Sequence, residues 1–268
     1  MRFASNSLVA RNPLARRVWQ AKRFAPDQVP GLGLDLDASY GVLNSIGPDV
    51  PATNGQAVRR WLDKSGNGRH FDQATATNQP VFSSAGFNSR SCVYFDGVDD
   101  LLTCLSGLGL LRSVAGATLI TVFYPDAYNV VPSETVLAIM NNAGFNRAAI
   151  DRVVTNDGDV RVGGRRLDAD ANAFVLVGKT VAPIFVTGVF DYSAAVLRGY
   201  QNGAIVSSLS PFQTAGNTSA TDSSIFRLGN IFRGKIARVL VWPRALTASE
   251  LLRVHRYLSA TYGIPLAP

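Results

Sequence analysis

Glutamate is nearly missing from this chain: among its 268 residues only Glu134 and Glu250 are glutamate. A sandwich-fold glycosidase needs two carboxylates flanking the sugar bond. Its usual sequence sign, two glutamates on one strand face at period two as in E-x-D-x-E, does not occur, which argues strongly against a retaining glucanase. Histidine is equally scarce, and His70 and His255 are too few and too far apart to make a three-ligand zinc site. Cys92 and Cys104 form no metal pattern and allow at most one bridge, so buried free thiols are expected. No G-x-S-x-G elbow supports a serine hydrolase. Charged residues are only 17% and apolar ones 47%. Yet no segment reaches the ~18 uninterrupted apolar residues of a membrane helix, so a soluble protein with no membrane insertion is expected.

What is present begins with unevenly placed charge. The net charge is +7, and residues 1–30 hold six basic residues against Asp27, or +5, leaving +2 for the remainder. This segment, "MRFASNSLVARNPLARRVW" onward, resembles a mitochondrial presequence in composition and lacks the apolar core of a secretory signal. It is read as a retained anchoring arm that docks on something acidic. Arg11, Arg16, Arg17, Lys22 and Arg23 would steer docking, and Trp19 and Phe24 would fill a partner's pockets. Because most of the excess sits on one tail rather than a folded face, no nucleic-acid partner is expected.

After Pro30 come short alternating runs separated by Gly, Asn, Asp and Pro. Strands are expected at 34–38, 58–63, 91–95, 117–124, 134–140, 159–163, 173–178, 183–191, 194–201, 204–209, 224–229 and 235–242. Asn202-Gly203 supplies the two positive-φ positions of a type I′ hairpin. About a dozen strands with no helices between them argue for two antiparallel sheets packed face to face. One helix is expected, at the C-terminus. Thr247 and Glu250 form its capping box, Leu251, Val254, Leu258 and Tyr262 its apolar face, and Gly263 its end. The domains are therefore an arm, 1–30, and one β domain, 31–268.

Two stretches look like chemistry. In "YFDGVDD", Asp96, Asp99 and Asp100 suggest a carboxylate cluster. However, Phe95 ends a strand and Asp96-Gly97 is a strong turn pair, while calcium needs six to eight oxygens; a turn is the preferred reading. In "WLDKSGNGRHF", a motif that also includes Trp61 and Asp63, the run Ser65, Gly66, Asn67 and Gly68 imitates a phosphate-cradling loop. No helix follows to supply its dipole and N–H groups, so turn formation is again preferred.

Taken in order, "WLDKSGNGRHFDQATATNQPVF", "YFDGVDDLL", "GYQNG" and "GKIARVLVWPRALTASELLRVHRYLSATYGI" resemble the laminin G-like, concanavalin A-like jelly-roll family from about Leu34 to Ile264. The resemblance implies an all-β, two-sheet antiparallel jelly roll with one C-terminal helix and an extended N-terminal arm, a module that binds sugar or protein and catalyses nothing. Some members hold calcium at a loop rim, which makes Asp96, Asp99 and Asp100 the calcium candidates here; no other cofactor is expected. Modules of this kind also resemble bacteriophage virion proteins. That implies a structural or adhesive protein on a capsid or tail, repeated within a particle, joined to other virion proteins through the arm and presented to a surface glycan. A free carbohydrate-binding lectin, secreted or on a bacterial surface, is the alternative, and a hydrolase a more distant one.

Overall fold

The computed structural model describes residues 24–126, 133–141, 143–153, 159–179 and 181–268. Among these residues 17 strands form two antiparallel sheets, and one α-helix follows the last strand. The fold is a jelly-roll sandwich. The first sheet runs β15 (Ala204–Leu209), β14 (Val196–Gln201), β13 (Ile184–Asp191), β8 (Gly116–Pro125), β17 (Arg233–Trp242), β6 (Arg90–Asp96), β5 (Val81–Phe87). β1 (Leu34–Asp37) pairs with β17 beyond the end of β6. The second sheet runs β12 (Ala173–Lys179), β11 (Asp159–Gly164), β10 (Asn146–Val153), β9 (Ser133–Met140), β16 (Ile225–Leu228), β7 (Leu102–Cys104), β4 (Phe71–Asp72), β3 (Arg60–Trp61), β2 (Val42–Leu43).

The central strands of the first sheet read as continuous apolar runs because both faces are covered. Along β8, Ala117, Leu119 and Phe123 enter the core between the sheets. Ile120 and Val122 point the other way, into a second core under helix α1 (Ala248–Tyr262). Leu251, Val254, Leu258 and Tyr262 of α1 complete that core, as their spacing predicts, together with Trp242, Phe185 and Leu240. Thr247 and Glu250 form the expected capping box, and Gly263 closes the helix in the left-handed region at φ 66°. No helix of the described residues is long and apolar enough to cross a membrane.

Alternation in "LDLD" has a different origin. Leu34 and Leu36 enter the inter-sheet core, whereas Asp35 and Asp37 meet Arg238 of β17. An irregular step between Ile236 and Arg238 lets Arg238 turn to the same side. Its guanidinium donates to both oxygens of Asp35 at 2.8 Å and to Asp37 Oδ2 at 2.6 Å. Burial pushes the Asp35 carboxyl above its ordinary range despite Arg238. Burial also opposes ionisation of Asp37, but Arg238, Lys64 and Ser39 together hold it below.

Five strands escape the sequence pattern. β2, β4 and β7 are two or three residues long, too short for a period. β5 carries Ser83, Ser84 and Gly86 and breaks register with β6 between Ser83 and Phe87. β10 hides its period because its charged side chains are buried: Arg147 pairs with Asp168, Arg152 with Glu134 and Asp151 with Arg161. The strand expected over 58–63 shrinks to β3, since Asp63 leaves the sheet to organise a loop.

The expected boundary at residue 30 falls within packed structure. Val29 is 1% exposed in the core under α1, and Trp242 Nε1 donates to the Val29 carbonyl at 3.2 Å. Arg244 donates to the carbonyl of Pro30 at 2.9 and 3.1 Å. These contacts place residues 24–30 on the sandwich. Residues 1–23, including Arg11, Arg16, Arg17, Trp19, Lys22 and Arg23, lie outside the described residues.

Candidate functional site

Asp96, Asp99 and Asp100 do converge: one carboxylate oxygen of each lies within 4.8 Å of the others. Their hydrogen bonds are those of a turn. Asp96 Oδ1 accepts from the Val98 N–H at 2.8 Å and Asp100 Oδ2 from the Asp96 N–H at 2.8 Å, while Gly97 takes φ 81°. Burial pushes the Asp100 carboxyl up to about 6; Asp96 and Asp99 beside it add to that, and the Asp96 N–H pulls back. The turn thus accounts for Asp96 and Asp100, and a calcium ion, which takes six to eight oxygens, would need ligands beyond one oxygen from each of the three aspartates. Phe95, just before them, is fully buried and packs close against Gly229, where a Cβ would come within 1.9 Å of its ring.

The second stretch is also a structural knot. Trp61 is fully buried and donates to the Asp37 carbonyl at 3.2 Å. The Asp63 carboxylate accepts from the N–H groups of Asp35 (3.0 Å), Ser65 (2.9 Å) and Arg69 (3.1 Å) and from the Ser65 hydroxyl (2.8 Å). Asn67 reaches the carbonyls of Leu32 and Gly33, and Gly66 and Gly68 turn the chain at positive φ. With its polar groups satisfied internally, the loop has no cradle left for phosphate. It does fix Lys64, whose Nζ donates to Asp37 Oδ2 at 2.8 Å.

Lys64 opens onto a place that neither stretch announces. A groove runs beside α1 as two adjoining cavities of about 620 and 390 Å³ that share Arg90, Tyr257 and Thr261. Along α1, Arg253, Arg256/Tyr257 and Ala260/Thr261 recur at helical spacing and form one wall. The opposite wall is the β5–β6 hairpin. Its turn residues Asn88 and Ser89 take φ 46° and 61°, and Asn88 Nδ2 ties the turn to the helix end through the Tyr262 carbonyl at 2.9 Å. Ser84, Ser89, Arg90 and Ser91 thereby face α1.

The electrostatics are one-sided. Arg90, Arg253 and Arg256 are exposed, and none meets a carboxylate among the described residues. Asp37, the one acid lining the groove, is taken by Arg238 and Lys64. Tyr257 lies at the centre, its hydroxyl 3.3 Å from Arg238 Nη1. Phe24 packs edge-on to Tyr257 at 6.1 Å and under Arg253 at 4.6 Å. Phe24 therefore touches its own domain, at the point where the arm begins.

The site residues missed from sequence are Lys64, Arg90, Arg253, Arg256 and Tyr257. A signal existed only for the helix, where "RVHRY" sets Arg253, Arg256 and Tyr257 on its polar side. Nothing in the sequence brings Arg90 to them.

This sandwich is similar to those of receptor-binding toxin domains. The binding domain of botulinum neurotoxin serotype G matches with a TM-score of 0.62 at 13% identity, over 86% of this chain and 52% of that one. The binding domain of Paraclostridial Mosquitocidal Protein 1 matches at 0.61 and 12%, over 87% and 53%. The binding domain of botulinum neurotoxin DC, solved in complex with SialylT, matches at 0.52 and 9%, over 87% and 52%. The chain thus spans about half the length of these structures, and the likeness is one of fold. No protein-family model and no curated protein matches the chain.

Proposed function

We propose that this chain is a non-catalytic binding module whose ligand is a glycan, held in the groove beside α1. The observation that carries the reading is the groove's lining: exposed guanidinium donors, serine and threonine hydroxyls and a tyrosine face, with its one carboxylate already engaged. Donors and hydroxyls match the polar edges of a sugar, and an engaged Asp37 is a poor general acid or base. The fold supports the same direction, since similar domains are named for binding, one of them, that of botulinum neurotoxin DC, solved both in complex with SialylT and in complex with rat synaptotagmin II.

The finer reading is a structural or adhesive part of a bacteriophage particle, fastened through residues 1–23, which carry six basic residues and no acidic one. Charge contacts with an acidic neighbour would steer docking, and screening over about 8–10 Å at physiological salt would weaken them as salt rises. Repetition on a particle would multiply weak contacts with a cell surface. The proposed function does not draw on calcium at Asp96, Asp99 and Asp100.

Particle incorporation of full-length protein, compared with a variant lacking residues 1–23, tests the finer reading. Loss of incorporation with the arm is expected. Equal incorporation contradicts the anchoring role, and absence of both from particles favours the free lectin.

A further inference from the structure

We infer that the groove beside α1 takes an acidic saccharide, a sugar chain bearing carboxylate or sulfate groups, rather than a neutral one. This rests on the glycan-binding reading and names the class of ligand. Arg253 and Arg256 stand about 4.5 Å apart along the helix axis at 1.5 Å rise per residue. Arg90 enters from the hairpin opposite and lines both cavities. A guanidinium fork matches a carboxylate or sulfate with two parallel hydrogen bonds, and it stays charged at any working pH. Three such groups without an acidic partner among the described residues leave a positive trough that a neutral sugar does not complement.

The hydroxyls select the rest of the ligand. Ser84, Ser89, Ser91 and Thr261 line the groove among the arginines, and they pair with ring hydroxyls that an acidic peptide does not carry. Tyr257 offers an apolar face with a polar tip. Residues 1–23 carry six basic residues and no acidic one, a charge that does not complement this trough.

Titration calorimetry on the full-length protein at physiological salt tests the inference. The probes are oligogalacturonate, sulfated dextran oligosaccharide, neutral dextran, polyglutamate and a single-stranded oligonucleotide. Oligogalacturonate or the sulfated sugar is expected to bind tightest. Arg253→Ala/Arg256→Ala should weaken that binding roughly tenfold or more, a loss of about 1.4 kcal/mol per factor of ten. Arg59→Ala/Arg112→Ala removes the same charge from exposed positions outside the groove and should leave it within about threefold.

Equal losses in both double variants, or equal binding of polyglutamate or the oligonucleotide, would overturn the inference in favour of unselective charge attraction. Binding of neutral dextran alone, indifferent to Arg253 and Arg256, overturns it while leaving the glycan reading intact. No saccharide binding at all overturns both.

Discussion

At the scale of single residues, buried titratable groups pull stability in opposite directions. His255 lies in the core under α1, 2.9 Å from the Thr187 hydroxyl and against Phe185, and burial pushes its imidazole down to about 4. The folded chain then binds fewer protons than the unfolded one. The stability it supplies is full above the ordinary value near 6.5 and is lost as pH falls towards 4, by on the order of 3 kcal/mol. Asp100, raised to about 6, acts with the opposite sign: its folded state is favoured when protonated, so stability falls as pH rises from about 4 to about 6. Denaturant unfolding across this window should show His255→Gln reducing the loss of stability on acidification and Asp100→Asn increasing it. The same direction in both variants contradicts these assignments.

Arg238 is the more costly residue to lose. It satisfies Asp35 and Asp37 together while nearly wholly buried. Its removal leaves the buried Asp35 carboxylate without an ion-pair partner and Asp37 with Lys64 alone, and Arg238→Ala should cost about 3–5 kcal/mol in equilibrium unfolding. A loss below about 1 kcal/mol means that water enters the site.

Among elements, α1 was fully legible because capping and packing act over neighbouring residues. The box of Thr247 and Glu250, the face from Leu251 to Tyr262 and the left-handed Gly263 are all local signals. β15 was legible for the same reason, through the positive φ of Asn202 and Gly203. β10 was not, since partners that make Arg147, Arg152 and Asp151 tolerable inside a sandwich come from other elements. The groove failed in the same manner. Its helix wall is a periodic face, but its hairpin wall depends on Asn88 and Ser89 meeting the end of α1 across the fold.

The N-terminal segment yields a prediction at this scale. A chain starting at Phe24 keeps the Val29 side chain and the Trp242 bond to its carbonyl. One starting at Gly31 loses the buried Val29 side chain and the Trp242 bond to its carbonyl. Burial of such a side chain stabilises by about 1.5–3 kcal/mol and a hydrogen bond by about 0.5–1.5 kcal/mol, so the shorter chain should fold but be about 2–4 kcal/mol less stable. Equal unfolding midpoints for the two truncations contradict the packing described for residues 24–30.

For the whole molecule, the jelly roll carries cores on both faces of its central sheet, which makes α1 part of the scaffold and its outer side available for a ligand. The architecture was readable from strand periods and family-like motifs, but those motifs, Trp61 to Gly68 and Phe95 to Asp100, build loops. What they contribute to function is position: the Asp63 loop holds Lys64 at the groove, and β6, which ends at Asp96, begins at Arg90. Chemistry that looks catalytic in the sequence is thus spent on structure, and the proposed binding groove is made of residues that look ordinary.

The central claim, that this sandwich binds a glycan without cleaving it, is met most directly by incubating full-length protein with a panel of acidic and neutral oligosaccharides. Retention and the appearance of new reducing ends are then followed in one experiment. Saturable retention of at least one acidic oligosaccharide, recovered intact after prolonged incubation, is expected. Release of reducing ends that stops when Asp96, Asp99 or Asp100 is changed to Asn, or retention of no saccharide at all, would contradict the claim.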